Sequence, residues 1–253
     1  TSEIMKEIIS KMVIDDIEYK KEKGAESSTD NFFPNPISPF SEEHDLFRIS
    51  MRTFLNKEVV PFIDEWEKKG EVPREIYKKF GQKGYFGLAF DQKYGGSNVD
   101  IWYTVIIHEE MARVNSGGFA AAMGAHFYLA LIYINGEGNE IQKEKYLVPG
   151  IEGDLIGCIA VTEPFGGSDV KAIRTTAVRK GNNYIINGSK TFITNGVTSD
   201  YIVAAVKTNP EAKEKGISMI LIERDRPGVT AAKLNKLGWH ASDTGEIAFD
   251  NVK

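Results

Sequence analysis

Two short polar runs hold the residues best suited to chemistry. One is Thr162-Glu163-Pro164-Phe165-Gly166-Gly167-Ser168-Asp169, the other Phe192-Ile193-Thr194-Asn195-Gly196, and apolar, strand-like segments surround both. Together they offer hydroxyls, glycine-exposed backbone amides and an aromatic ring. Amides at glycines approach a phosphate closely, hydroxyls pair with ring heteroatoms, and an aromatic face packs on a flat ring. The set suits a planar, hydrogen-bonding cofactor with a pyrophosphate tail. Each part also has an ordinary reading: threonines on a half-buried strand, a glycine turn capped by Ser168 or Asp169, and a core phenylalanine.

Other reactive types read as structural. Glu163 precedes a proline and is expected to fix a turn. Glu109 and Glu110 lie in a helical pattern, facing solvent or a salt bridge. His108, His126 and His240 show no metal-ligand spacing. Cys158 is the single cysteine of the chain. It precedes an apolar run and reads as core; no internal disulfide is possible, and a reducing compartment is expected.

The elements that must position these runs change character near residue 154. Of the 253 residues, 42% are hydrophobic, which suits a folded protein of one large or two ordinary domains. Before residue 154 the apolar period is helical. Residues 1–23 form a weak amphipathic stretch, and the Ser-, Asn- and Pro-rich stretch from Gly24 to Pro39 reads as a linker or draped arm. Ser41 is positioned to cap a helix whose stripe is Phe47, Met51, Phe54, Leu55 and Val59. Pro61 kinks it or begins a new turn. Pro73 suits the first position of a short helix through Ile76, Tyr77 and Phe80. Helices follow over 100–115, 117–135 and 138–147, the last stopping before Pro149. The run from Gly117 to Ile134 is near the lower length for spanning a bilayer. It contains His126 and several glycines and lacks basic flanks, so it reads as a buried core helix rather than a transmembrane segment.

After residue 154 the pattern is short and β-branched: Leu155–Val161, Thr175–Arg179, Tyr184–Asn187, Tyr201–Lys207, Ser218–Glu223, Val229–Ala232 and Glu246–Asp250. Turn signals divide the segments at 180–183, Asn187-Gly188, Asn195-Gly196 and Pro227-Gly228, which predicts a β-barrel or sandwich. The expected class is α+β: an extension over 1–40, an all-α domain over 41–154 and a β-barrel domain over 155–253. The formal net charge is −5 with no basic cluster, so nucleic acid is not an expected partner. Residues 1–23 carry frequent acids and no arginine, so they read as neither a secretory signal nor a transit peptide.

From about Ser41 onward the chain resembles the acyl-CoA dehydrogenase family, most closely its long-chain-type and bacterial members. Ala160-Val161-Thr162-Glu163-Pro164-Phe165-Gly166-Gly167-Ser168-Asp169 carries the likeness. It is supported by 187–196, by Leu237-Gly238-Trp239-His240-Ala241-Ser242-Asp243-Thr244, by Glu65 to Pro73 and by Tyr94-Gly95-Gly96. The resemblance implies a helical domain, a β-barrel middle domain and a C-terminal four-helix domain, with FAD between the last two.

It also implies α,β-dehydrogenation of fatty acyl-CoA, with electrons passed to an electron-transfer flavoprotein and a homotetrameric assembly. By resemblance, Ile159, Val161, Thr162, Gly167, Ser168, Phe192, Ile193 and Thr194 would bind the flavin. Ser168 and Asp243 would contact the acyl-CoA, and His126 would either border the acyl pocket or sit satisfied in the core. Many relatives have Trp where Phe192 stands, and Gly245 replaces the Arg or Ala often found after the Ser-Asp-Thr string. The four-helix domain is expected beyond Lys253, and with it the catalytic glutamate, so no base is assigned here. A cytoplasmic location in a bacterium, or the mitochondrial matrix, is expected. Two alternatives stay open: an acyl-CoA oxidase or flavin monooxygenase on the same scaffold, and a non-catalytic binding module.

Overall fold

The computed structural model describes residues 39–209, 211–212 and 216–253; the stretch 1–23 and almost all of the expected linker lie outside them. Helix α1 (Glu42–Glu58) opens on a capping box. The Ser41 hydroxyl accepts from the His44 amide, the His44 ring accepts from the Ser41 amide, and Glu42, Glu43 and Asp45 occupy the first turn. The predicted stripe Phe47, Met51, Phe54, Leu55 and Val59 is buried. Pro61 lies in a new 3-10 turn, Val60–Phe62, ahead of α2 (Ile63–Lys69). Pro73 takes the cap position before α3 (Arg74–Gln82), one residue earlier than expected. Next come α4 (Ile101–Ala112) and α5 (Gly117–Glu137).

The last helix, α6, spans 140–151 and passes straight through Pro149, where the sequence predicted a stop. Its turn over Lys143–Leu147 is widened to π geometry. A proline lacks an N–H and its ring crowds the carbonyl four residues back; a wider preceding turn relieves that crowding.

Helix α5 alone, among the described residues, is long and apolar enough to cross a membrane, and 56% of its apolar window is buried. It packs as a core helix: Phe119, Ala122, Met123, His126, Phe127, Ala130, Leu131 and Ile134 line its buried side.

Seven strands then form one curled, barrel-like sheet: β1 (Gly157–Ala160), β2 (Thr176–Lys180), β3 (Asn183–Ile193), β4 (Tyr201–Lys207), β5 (Ile217–Glu223), β6 (Val229–Lys233) and β7 (Gly245–Val252). The path runs β1-β4-β2-β3-β7-β6, with β5 on the other edge of β4. A two-residue turn at Gly181-Asn182 joins β2 to β3. Asn187-Gly188 is not the predicted turn. It continues inside an 11-residue strand, opposite a bulge in β7, where the two-residue step from Ile186 to Gly188 faces a three-residue step from Val252 to Phe249. Gly188 has φ +147, and a Cβ there would come within 2.5 Å of the Thr175 hydroxyl, so glycine meets both demands.

Strand β4 joins the two cores. Tyr201 and Val203 belong to the helical core, whereas Ile202, Ala204 and Val206 fill the barrel with Cys158, Ala160, Ile186, Ile247 and Phe249. Both faces are covered, which is why its sequence is apolar throughout. Cys158 is wholly buried, and burial pushes its thiol up to about 12; it is a core residue.

His126 bolts the layers together. Its Nδ1 accepts from the Gly157 amide at 3.0 Å, so Nε2 carries the proton and donates to the Gly150 carbonyl at 3.0 Å. Burial lowers its pKa to about 4, against the opposing effect of the Gly150 carbonyl. The unfolded chain, with an ordinary value of about 6.5, therefore binds more protons than the folded one as pH drops. The stability held by neutral His126 is fully present above that value and is lost as pH falls towards 4. The loss by pH 5 is about 2 kcal/mol. Urea midpoints at pH 7 and pH 5 should show this slope in the parent and its removal in His126→Gln; an equal slope in both would refute it.

Candidate functional site

The two polar runs meet. The Thr191 amide donates to the Thr162 carbonyl at 2.9 Å, so the loop leaving β1 lies against the end of β3. A buried ion pair locks the same junction. Lys190, with no exposed side-chain surface, donates to Glu163 Oε1 at 2.8 Å and to the Val161 carbonyl at 3.0 Å. Glu163 also accepts from the Thr175 amide at 3.0 Å and the Arg174 amide at 2.5 Å. Burial opposes ionisation of Glu163, but the bonds from Lys190, Thr175 and Arg174 outweigh it and hold its pKa below the usual range. Burial lowers the Lys190 pKa, partly offset by Glu163. Glu163 does fix a turn, as expected, through a cation the sequence reading did not name.

The expected site residues divide by exposure. Thr162 and Thr194 are half-buried, and no protein group among the described residues bonds either hydroxyl or accepts from the Thr162 amide. Gly167 and Ser168 are exposed beside them; a Cβ added at Gly167 would touch only the Thr162 methyl, at 3.6 Å. The protein itself leaves room for a side chain there, and glycine keeps the space next to Thr162 open to a ligand. Phe165 is exposed and carries the Arg174 guanidinium over its ring at 4.4 Å. Ile159 and Val161 are half-buried, with Ile159 packed on the helical core. Ile193 is buried in the barrel.

Phe192 has φ +60, rare for a bulky residue. It sits at a second bulge, where the register of β3 against β7 shifts between Lys190 and Ile193. The bulge swings the ring outward, leaving it 68% exposed. An apolar ring held out by a strained backbone is the kind of local cost found at functional sites.

The loop after Thr194 is held from both sides. Asn195, buried and at φ +61, donates to the Ala122 carbonyl at 2.8 Å and accepts from the Tyr77 hydroxyl at 3.2 Å. Asp243 is buried as well; its Oδ2 accepts from the Val197 and Thr198 amides at 3.0 and 2.7 Å. The structure thus gives Asp243 Oδ2 a loop-holding task, while its buried Oδ1 has no hydrogen-bond partner among the described residues. The sequence reading gave Lys190 and Tyr77 no part in the site and took Asn195 only as part of a polar run and turn. The available signal for Lys190 was its even spacing from Ile186, which puts a charge among inward positions of a strand.

The other buried carboxylate is spoken for. Glu110 accepts from Arg52 at 2.7 and 2.8 Å and from Arg48 at 3.2 Å. His240 Nε2 lies 2.8 Å from the Lys236 carbonyl, and no metal-binding group of His, Cys, Asp and Glu occurs among the described residues.

A sequence profile described as "Acyl-CoA dehydrogenase, N-terminal domain" matches residues 41–154, and "Acyl-CoA dehydrogenase, middle domain" matches 158–252. The chain belongs to the acyl-CoA dehydrogenase family. The mitochondrial long-chain specific acyl-CoA dehydrogenase of Rattus norvegicus is 42% identical over 217 residues, 85% of this chain and 50% of that protein. The crystal structure of an acyl-CoA dehydrogenase from Geobacillus kaustophilus matches with a TM-score of 0.82 at 46% identity, covering 85% of this chain and 57% of that one. A glutaryl-CoA dehydrogenase from Mycobacterium smegmatis, solved in complex with FADH2, matches with a TM-score of 0.78 at 30% identity, covering 84% of this chain and 54% of that one. The chain spans about half the length of the curated relatives it matches.

The acyl-CoA dehydrogenase fold thus brings the hydroxyls, the glycine turn and the outward ring to one edge of the barrel. Phe192→Gly tests whether the ring is held there at a cost. Left-handed backbone costs a residue with a Cβ about 1–2 kcal/mol, and glycine recovers it less roughly 0.5–1 kcal/mol of chain entropy. Urea denaturation should show stability unchanged or up to about 1.5 kcal/mol higher; a fall of about 3 kcal/mol, as for a core phenylalanine, would show that the ring serves packing.

Proposed function

We propose that this chain forms the helical and middle domains of an FAD-dependent enzyme that desaturates fatty acyl-CoA thioesters and passes the electrons to an electron-transfer flavoprotein. One observation carries the reading: the Thr191 amide bonds the Thr162 carbonyl, which ties the Thr162 loop to the strand end leading to Thr194, and neither hydroxyl has a partner among the described residues. Membership of the family supports it. When bound, the flavin supplies the acceptor for the substrate's β-hydrogen.

The chain's own residues do the holding. The Thr162 amide and the Thr162 and Thr194 hydroxyls would hold the polar edge of the ring, and the outward Phe192 would cover an apolar face and keep water off it. Val161 and the backbone of Ile193 frame the same edge. The open turn at Gly167 and Ser168 would take the phosphate-bearing tail or the acyl-CoA chain. The proton from the substrate's α-carbon needs a carboxylate, and Glu163 and Glu110 are both committed to cations. By the likeness to the family, we assign that base to a segment beyond Lys253. The assembled enzyme would be a homotetramer, in the cytoplasm of a bacterium or the mitochondrial matrix.

The test uses the complete polypeptide loaded with FAD. Anaerobic addition of acyl-CoA thioesters of graded chain length should bleach the visible flavin band without other reagents; failure to bind flavin, or no bleaching with any thioester, would contradict the proposal. Slow reoxidation in air, with fast transfer to an electron-transfer flavoprotein, is expected; the reverse would point to an oxidase. In the same protein, Thr194→Val removes one neutral hydrogen bond worth about 1 kcal/mol. Equilibrium dialysis should show FAD held roughly fivefold more weakly, and unchanged affinity would remove Thr194 from the site.

A further inference from the structure

We infer that Lys190 is a positioning residue that strengthens the Thr162 amide as a donor to the cofactor, acting through the Val161–Thr162 peptide bond; the inference rests on the flavin reading above. The geometry is specific. The Lys190 ammonium, fully enclosed, donates to the Val161 carbonyl at 3.0 Å. That carbonyl and the Thr162 N–H belong to the same peptide group. A cation on the oxygen pulls electron density along the amide, leaving the N–H more positive and a better donor. Hydrogen-bond chains strengthen one another in this way, and most when the first donor is charged and the medium is poor in water.

Three further observations show a device built for this task rather than a pair that only closes a gap. Lys190 divides its protons between Glu163 and the Val161 carbonyl instead of giving them all to the carboxylate. The neighbouring Thr162 carbonyl takes its bond from the Thr191 backbone, so the two carbonyls that bracket the Thr162 amide are both fixed by the end of β3. The amide between them has no acceptor among the described residues, on a residue that is half-buried. Glu163, bonded by Lys190 and two amides, holds the ammonium in register. A hydrocarbon pair of similar volume would pack this junction without the cost of burying two charges; the ammonium adds a polarised peptide aimed outward.

The test compares two variants of the complete, FAD-loaded polypeptide. Glu163→Gln leaves an acceptor oxygen for Lys190 where the carboxylate stood, so the ammonium stays seated on the Val161 carbonyl. The double variant Lys190→Met with Glu163→Gln removes both charges together, so no uncompensated ion is left to prevent folding. The readouts are the flavin midpoint potential by dye equilibration, the visible absorbance maximum and the melting temperature.

A stronger amide donor favours the more electron-rich ring. The double variant should therefore shift the potential negative by a factor of about ten in the reduction equilibrium, about 30 mV for a two-electron couple, with a displaced absorbance maximum. Glu163→Gln should hold the parent potential even where its melting temperature falls. Equal potentials in parent and double variant, or the same shift in both variants, would overturn the inference and leave the pair a structural tie. Flavin absent from the parent itself would instead refute the cofactor reading, so the two failures are distinguishable.

Discussion

The rest of the site depends on one buried ion pair. Lys190, on β3, and Glu163, on the loop after β1, stand 27 residues apart in sequence, and neither side chain has more than 3% of its surface exposed. Burying two charges is expensive unless every lone pair and proton is met. Here Glu163 collects Lys190 and the amides of Arg174 and Thr175, and Lys190 also serves the Val161 carbonyl. The loop after β1, the start of β2 and the end of β3 thereby become one rigid unit. Two loops that would otherwise move separately present their hydroxyls in a common frame, as a flat ligand requires.

The helical domain has a part in that frame although it supplies none of the predicted cofactor contacts. Asn195 reaches across to Ala122 and Tyr77, and Gly118 lets α5 approach the loop over 239–242 so closely that a Cβ would fall 2.8 Å from the Ala241 amide. Arg74 on α3 pairs with Asp200 at 2.6 Å, and Asp200 in turn accepts from the Ile156 amide at 2.7 Å. With His126 tying Gly150 to Gly157, these contacts fix the start of β1 and β4 against the helices. The position of Thr194 is set by the packing of both domains.

Much of this was legible in the sequence because it is local. The Ser41 cap, the stripe of α1, the strand Tyr201–Lys207 and the change from helical to strand period each follow from neighbouring residues. What escaped depends on contacts between distant segments. Asn187-Gly188 has turn composition, yet cross-strand pairing with β7 carries the strand straight through it, and the irregularity falls on β7 instead. Pro149 ordinarily stops a helix, and only the π-widened turn before it lets α6 continue. The two polar runs were identified by residue type, but the ion that joins them was not, since a lysine in a strand pattern gives no sign of its partner. The motif offered Asp243 as a substrate contact and gave no sign that its Oδ2 also holds the Val197 and Thr198 amides.

Amide hydrogen exchange on the complete polypeptide, with and without FAD, addresses the central claim most directly, because it reads each loop separately. The account predicts that peptides covering 161–168 and 190–196 gain protection together on adding FAD. Protection confined to one of them, or found only elsewhere in the chain, would contradict a single shared groove.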